Sequence, residues 1–218
     1  MKKKLFIAGL VLFMGFLMTA CGNSSSAQNE AAMNTIQSYD LSEEQYELMS
    51  VVAPDALEAI TQFTVDETYK SVCVGYDYYE KGQLVAKNCA ESEIPFSYDF
   101  GPQNTYGKIY AYIDNNIDEE LAVINILGKG SDVDETDSTG SKSPLSNDNQ
   151  SFNDMESYTE SVLLEPVAIE KNKKIYIRAE IGDSDEDFEV SGDISSLMSH
   201  KKMLASIDKA FVFYAIFN

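Results

Sequence analysis

The feature that most constrains the fold of this chain is an alternation of apolar and other residues with a period of two. Every second residue from Val72 to Tyr78 is apolar or aromatic, and Glu80-Lys81-Gly82 then turns the chain into the segment 83–89. This pattern predicts a β-hairpin. The segment 210–217, AFVFYAIF, is almost wholly apolar, which is typical of a central strand buried on both faces.

Similar runs predict further strands near 94–99, 107–113, 120–128, 156–169 and 174–181. Helices are expected only near the ends of the chain. Ser42-Glu43-Glu44-Gln45 is a capping box, which predicts a helix over 43–52, and Pro54 separates it from a second helix that ends near Gln62. We therefore expect a mainly β protein, a β-sandwich of about seven to nine strands with short N-terminal helices, and a β-barrel is the alternative.

The N-terminus has the pattern of an export signal. Three lysines follow Met1, and the apolar run from Leu5 to Ala20 is shorter than the roughly 20 residues that span a bilayer. Leu17-Met18-Thr19-Ala20-Cys21 resembles the lipobox of bacterial lipoproteins, although Met18 stands where that family usually has Leu. The resemblance implies that residues 1–20 are a signal peptide and that Cys21 carries a lipid. It also implies a location on the extracytoplasmic face of the cell membrane, because several acyl chains anchor durably.

Behind the lipidated cysteine, the polar residues to position 37 predict a flexible tether, so the tether comprises residues 21–37 and a single domain comprises residues 38–218. The acidic segment 129–154 has few apolar residues, and we expect it to be a mobile loop within that domain.

The charge balance excludes several classes of partner. The chain has 36 acidic against 16 basic residues, a formal net charge of −20, with one histidine and no tryptophan. Binding to nucleic acid, or to a membrane through a basic surface, requires clustered Lys and Arg. We therefore expect contact with the membrane only through the lipid, and no nucleic-acid partner.

Cys73 and Cys89 remain once Cys21 is lipidated. A three-residue turn at Glu80-Lys81-Gly82 places them opposite each other on one face of the hairpin, and an exported compartment permits a disulfide between them. The alternatives are two free thiols, or a two-residue turn at Lys81-Gly82 that shifts the pairing by one residue.

One acidic stretch has the spacing of a metal-binding loop. Asp114, Asn116, Asp118 and Glu120 offer hard oxygen ligands at alternate positions, as in the first half of a calcium loop. The remainder of that pattern fails, because Glu119 and Asn125 occupy the positions of its glycine and its bidentate glutamate. We expect no metal site and no cofactor other than the lipid, with these four residues as weak calcium candidates.

No catalytic constellation emerges from the sequence. His200 is expected at an exposed turn, and Ser199-x-x-Lys202 lacks the companion motifs of the penicillin-binding enzymes. The 13 tyrosines fit ordinary strand composition, and they also suit an interaction surface or stacking on a sugar. We expect a non-enzymatic binding module for a protein or carbohydrate ligand. The alternative is a glycan hydrolase that uses paired carboxylates, one of them in an apolar setting that raises its pKa.

Overall fold

Strands dominate the structure, a computed structural model that describes residues 32–52, 57, 60–96, 105–114, 121–130, 136–145, 152, 155–188, 190 and 192–218. The strands in these ranges are β1 (Thr35–Ser38), β2 (Ile60–Val65), β3 (Ser71–Glu80), β4 (Gln83–Pro95), β5 (Thr105–Asp114), β6 (Leu121–Gly130), β7 (Thr136–Pro144), β8 (Ser157–Val162), β9 (Val167–Ala168), β10 (Lys174–Asp183) and β11 (Lys209–Phe217). The helices are α1 (Glu43–Val52), α2 (Ile194–Ser199) and α3 (Lys201–Leu204).

The strands form two antiparallel sheets. Sheet A has the order β7-β6-β5-β2-β1-β9, and sheet B has the order β4-β3-β11-β10-β8. The β-sandwich predicted from the sequence is confirmed, with more strands than the prediction gave it. In a sandwich each sheet has an inner face that packs on the other sheet and an outer face, and successive residues of a strand alternate between them.

The C-terminal strand holds sheet B together. β11 lies between β3 and β10 and pairs with both along its length. All its residues are buried except Ile216, which is half-buried. The prediction of a central strand buried on both faces is confirmed.

Aromatic rings join the two sheets in the core. The ring of Phe63, on β2, lies 5.1 Å from that of Phe217, on β11, and 5.9 Å from that of Phe96. Gly107 lies opposite Phe63 in the register of sheet A. A Cβ at Gly107 would lie 2.0 Å from Cζ of Phe63, so only glycine lets this ring lie across β5.

Helix α1 begins and ends where the sequence predicts. The backbone N–H of Ser42 donates to Oε1 of Gln45 at 3.0 Å, and the backbone N–H of Gln45 donates to Oγ of Ser42 at 3.3 Å. These reciprocal bonds are the capping box. The second predicted helix is wrong over 60–62, because these residues begin β2, where pairing with β1 and β5 overrides the helical pattern.

Two polar segments contribute strands that apolar periodicity did not indicate. The segment 129–154, predicted to be a mobile loop, contains β7, and β6 extends to Gly130 to pair with it. β1 begins at Thr35, inside the predicted tether, and pairs with β2 and β9. Backbone hydrogen bonds form a ladder whatever the side chains are, so such edge strands are weakly encoded in apolar patterns.

Candidate functional site

The outer face of sheet A carries a row of tyrosines. On β5, Ile109, Ala111 and Ile113 point into the core. The alternate residues are half-buried and point outward, namely Tyr106, Lys108, Tyr110, Tyr112 and Asp114. Period-two alternation therefore places three tyrosines and a lysine on one surface.

Pairing across the strands extends this surface. Tyr39 continues β1, because its backbone N–H donates to the carbonyl of Ile60 at 3.0 Å. Ile60 in turn lies opposite Tyr110, and Tyr110 lies opposite Asn125. Residues opposite each other in an antiparallel sheet share a face, so one row reads Tyr39, Ile60, Tyr110, Asn125.

The next row along the strands carries amides and the lysine. Gln37 lies opposite Gln62, and Gln62 lies opposite Lys108. We use the name tyrosine face for these outward side chains of sheet A, that is Tyr39, Tyr106, Tyr110 and Tyr112 with Gln37, Gln62, Lys108 and Asn125.

Direct contacts order part of the tyrosine face. Nζ of Lys108 lies 3.5 Å from the ring centroid of Tyr39, a cation–π contact. The hydroxyl of Tyr39 donates to Oε1 of Gln45 at 3.4 Å, which links the face to α1. Burial, with the neighbouring Tyr39 as a second cause, raises the pKa of Tyr110. Tyr110 therefore stays neutral and acts as a hydrogen-bonding group with an apolar body.

The charged residues in register with the tyrosine face are mostly lysines, although the chain is strongly acidic. Lys108 and Asp114 lie on β5, Lys129 of β6 pairs opposite Tyr106, and Lys142 of β7 pairs opposite Val123, the partner of Tyr112. Thr64, opposite Tyr106 in the same sheet face, is 2% exposed, and its Oγ1 has no hydrogen-bond partner among the described residues. Enrichment in aromatic residues is typical of an interface.

A second polar cluster lies inside the sandwich, on the inner face of β10. Nε of Arg178 donates to Oε1 of Glu180 at 3.1 Å, and the guanidinium also forms an ion pair with Glu160 on β8. The hydroxyl of Tyr158 donates to the other oxygen of Glu180. Nη1 of Arg178 has no hydrogen-bond partner in the described part of the chain.

The cluster reaches across to sheet A. β2 begins at Ile60, opposite Tyr110, so the later residues of β5 have no β2 neighbour. Among these residues, Ile113 donates its backbone N–H to Oε1 of Glu180 at 3.0 Å. Glu180 is 0% exposed. Burial raises the pKa of Glu180 to about 7, although the charge of Arg178 and the hydrogen bonds oppose the shift.

Glu160 and Glu180 bear on the hypothesis of a glycan hydrolase. They are cross-strand partners, and burial raises the pKa of Glu180. A raised pKa on one carboxyl of a pair is what a glycan hydrolase requires of its general acid. A catalytic acid must also come within hydrogen-bond reach of its substrate. Both oxygens of Glu180 already accept hydrogen bonds from the protein, and the residue is fully buried. Glu180 therefore acts as a structural link between the two sheets.

A third polar cluster lies on the outer face of sheet B. Nζ of Lys174 lies 2.7 Å from Oδ2 of the buried Asp77 and 3.6 Å from the ring centroid of Tyr214. The hydroxyl of Tyr214 donates to Oε1 of Glu91 at 2.6 Å, and burial with this bond raises its pKa. A Cβ on Gly75 would lie 2.7 Å from that hydroxyl. The cluster joins β10, β11, β3 and β4.

The structure corrects the predicted disulfide, because Cys73 and Cys89 are free thiols. Cys73 lies opposite Glu93 and Cys89 lies opposite Tyr76. Cys73 therefore shares the outer face of sheet B, whereas Cys89 packs against the core. Burial raises the pKa of Cys73 to about 11.

The reason for this error is the register of the hairpin. Lys81 and Gly82, both with positive φ, form a two-residue turn, because Glu80 pairs with Gln83. The register then shifts between Tyr79 and Tyr78, between Tyr78 and Tyr76, and between Tyr76 and Val74. Each bulge inserts an extra residue in β4, so the two cysteines end up on opposite faces.

Several predicted residues lie outside the described ranges. Cys21 is one of them, and so are Asn116, Asp118 and Glu120 of the calcium candidates, whereas Asp114 ends β5. Among the described residues, no group of three or more His, Cys, Asp or Glu side chains is placed to hold a metal ion. None of the described helices is long and apolar enough to cross a bilayer.

His200 is exposed, as predicted, between α2 and α3. Its Nδ1 lies 2.8 Å from the carbonyl oxygen of Ser196 and 3.1 Å from Oγ of Ser199. Both contacts are within the same turn of chain, so His200 caps the end of α2.

Sequence reasoning counted the tyrosines and did not place them. Their spacing held the signal, because Tyr106, Tyr110 and Tyr112 alternate with the apolar residues of one strand. The buried pair of Arg178 and Glu180 was also missed. Two opposite charges two residues apart in an otherwise apolar strand share one face, which indicates an internal ion pair.

The eleven strands of the described residues form two antiparallel sheets, which define a β-sandwich domain with a tyrosine-rich outer face. The chain belongs to the YgaN domain family, which it matches over residues 35–217, from the first residue of β1 to the last of β11. No curated protein and no solved structure matches the chain significantly.

Proposed function

We propose that this protein is a lipid-anchored, extracytoplasmic binding module that engages its partner through the tyrosine face and catalyses no reaction. The composition of that face carries the proposal. Tyr106, Tyr110 and Tyr112 occupy outward positions of one strand and are half-buried. Tyrosine supplies contact area at low cost in conformational entropy and retains a polar tip.

The anchor rests on the N-terminal sequence. Three lysines, a short apolar run and a cysteine after Thr19-Ala20 have the order of a lipoprotein signal. The domain begins with β1 at Thr35, so the chain between Cys21 and Thr35 connects the lipid to the sandwich. The negative charge of the domain does not attract it to a membrane, so the lipid is what holds the domain there.

Metabolic labelling tests the anchor. Cells that express the full chain are fed an alkyne analogue of palmitate, and the purified protein is assayed for label. The wild type and Cys73→Ala should be labelled, whereas Cys21→Ala should not. Equal labelling of Cys21→Ala, or an unlabelled wild type, refutes the anchor.

Tyrosine footprinting on intact cells tests the binding face. The wild type is iodinated in the envelope and, separately, after purification in detergent, and each tyrosine is quantified by mass spectrometry. Tyr110 and Tyr112 should be modified several-fold less in the envelope. Tyr46 on α1, which is 53% exposed, should react equally in both and is the matched control. Equal reactivity of Tyr110 and Tyr112 in both settings refutes the proposed face.

A further inference from the structure

We propose that the protein forms a dimer in which α1 of one copy docks on a basic and apolar surface at the β3–β4 turn of the second copy. Neither surface belongs to the tyrosine face, so this dimer goes beyond the proposed binding function. The two surfaces expose apolar side chains and carry opposite charges.

Helix α1 has an apolar face that the sandwich does not cover. Val51 is 81% exposed and Leu48 is 63% exposed, and residues three apart share one side of a helix. Gln45, which contacts Tyr39, and Met49 are only half-buried. A ten-residue helix is marginal in water unless it packs an apolar face, so α1 gains stability when a partner covers Leu48 and Val51.

The same face of α1 is acidic. Glu44 and Glu47 are exposed, and with Leu48 and Val51 they have the spacing i, i+3, i+4, i+7 of a helix that docks by one face. Tyr46 points away from this face, since residues two apart on a helix do not face each other. The sequence of α1 contains no basic residue. A surface that covers this face should therefore combine apolar side chains with basic ones.

A surface of this kind lies at the turn between β3 and β4. We use the name lysine tip for six exposed residues of this turn and of the neighbouring α3, namely Lys81, Leu84, Val85, Lys201, Lys202 and Met203. The fold brings the two segments together. The backbone N–H of Lys81 donates to the carbonyl of Asp208 at 3.0 Å, and a Cβ on Gly82 would lie 2.5 Å from Cα of Ala205.

Positive charge predominates at the lysine tip, although the chain has a formal net charge of −20. Lys87, also exposed, adds a fourth lysine. The acidic neighbours are Glu80, which is exposed, and Asp208, which is half-buried and accepts a hydrogen bond from the backbone N–H of Ser184. The acidic segment 183–187 follows β10, which is three strands from β4, or about 14 Å at the spacing of strands in a sheet.

A second copy of the chain suits both surfaces. Of the nine large apolar side chains that are exposed in the described residues, five lie on α1 or on the lysine tip in the sets named above, and exposed apolar patches mark interaction sites. An anionic membrane would attract the lysine tip and repel α1. Each surface instead complements the other in charge.

Both surfaces lie away from the end of the sandwich at which the chain enters β1. Thr35 pairs with Thr64, and the neighbouring Phe63 contacts Phe217 at the end of β11. The β3–β4 turn lies beside Lys209 at the start of β11, about 27 Å from Phe217 at the rise of a strand, and α1 follows the other end of β1. Two copies related by a two-fold axis can therefore form the contact twice.

Sedimentation equilibrium of the full-length protein in detergent tests the dimer. The wild type should dimerise as its concentration rises, and less so at high ionic strength, because exposed charges contribute. Leu48→Ser should weaken association about ten-fold or more. Leu164→Ser, at a leucine that is 60% exposed outside both surfaces, should leave it unchanged. Circular dichroism of each variant verifies the fold, and Val51→Ser replaces Leu48→Ser if the latter unfolds.

A charge exchange identifies the surfaces that meet. Glu47→Lys and Lys202→Glu should each weaken association about ten-fold, because like charges then oppose each other. An equimolar mixture of these two variants should associate as the wild type does, since opposite charges face each other again. Lys171→Glu, at an exposed lysine outside the lysine tip, should have no effect.

Three results would overturn the proposal. They are a wild type that is monomeric at every concentration, an association that neither Leu48→Ser nor Glu47→Lys changes, and a mixture of the charge variants that stays dissociated. A monomeric protein that binds phosphatidylglycerol vesicles, and loses this binding in Lys202→Glu, would show that the lysine tip contacts an anionic membrane instead of α1.

Discussion

Replacing Arg178 by Met should destabilise the sandwich strongly, and the loss should depend on pH. The guanidinium is 2% exposed and binds Glu180, which is 0% exposed. Without Arg178, the donors to the carboxylate of Glu180 that remain among the described residues are the N–H of Ile113 and the hydroxyl of Tyr158. Removing one partner of a buried ion pair costs about 3–5 kcal/mol, because the other charge is left uncompensated.

Protonation of Glu180 should relieve part of this loss. Below the pKa of the buried group, Glu180 is neutral, and Arg178→Met loses mainly hydrogen bonds, each worth about 1 kcal/mol. We therefore expect a loss of about 3–5 kcal/mol at about pH 8 and of about 1–2 kcal/mol at about pH 5. The double variant Arg178→Met/Glu180→Gln carries no buried charge at this position, and it should be more stable than Arg178→Met at about pH 8.

Urea unfolding, followed by far-ultraviolet circular dichroism, measures these differences through the midpoint at a constant slope. Lys173→Met is the matched control, because its ion pair with Glu170 is exposed and should contribute less than about 1 kcal/mol. Two results would refute the reasoning. One is a loss for Arg178→Met that is the same at both pH values, and the other is a double variant less stable than the single one.

Three further predictions follow from the same structure. Because the folded pKa of Glu180 is about 7 and its ordinary value is 4.5, the folded state holds a proton that the unfolded chain releases. Relative to Glu180→Gln, the free energy of unfolding of the wild type should thus fall by about 3 kcal/mol as the pH rises from about 4.5 to about 7. Urea unfolding at several pH values measures this difference, and the same pH dependence in both proteins would contradict it. Gly75→Ala should destabilise by about 1–3 kcal/mol, because its Cβ would lie 2.7 Å from the Tyr214 hydroxyl and 2.8 Å from Cγ of Glu91. Tyr214→Phe removes that hydroxyl, so Gly75→Ala should cost less in the Tyr214→Phe background than in the wild type. Thermal unfolding measures both differences, and a Gly75→Ala variant as stable as the wild type would contradict the clash. Alkylation of the denatured protein without reductant should label both Cys73 and Cys89. Alkylation of the native protein at neutral pH should be slow, because burial raises the pKa of both thiols. If the two cysteines react only after reduction, they form a disulfide and this prediction is wrong.

Local patterns predicted the elements that local forces stabilise. The reciprocal bonds of Ser42 and Gln45 involve residues three apart, so the sequence alone placed the start of α1. The continuous apolar run of β11 required burial on both faces, and it lies at the centre of sheet B. Strands with weak apolar patterns, such as β7, were missed because their partner strand supplies the hydrogen bonds.

The candidate sites show the same division. Tyr106, Tyr110 and Tyr112 alternate with apolar residues in β5, so the sequence was enough to predict that they share one face of the strand. It did not contain their neighbours, since Tyr39 and Asn125 reach the same row only through the pairing of β1, β2, β5 and β6. The disulfide prediction failed for a related reason, because three register shifts between β3 and β4 separate Cys73 from Cys89 and the sequence did not indicate them.

The sequence by itself determined a mainly β, acidic domain with a buried C-terminal strand, because composition and period-two alternation are properties of the chain. Only the tertiary structure decided which residues meet. It placed Cys73 and Cys89 on opposite faces and buried Glu180 beneath Tyr158 and beside Arg178. It also brought Tyr39, which follows β1, beside Lys108 on the tyrosine-bearing strand β5. A shift of one residue in register moves every later side chain to the other face of a strand, and register depends on contacts between residues far apart in the chain.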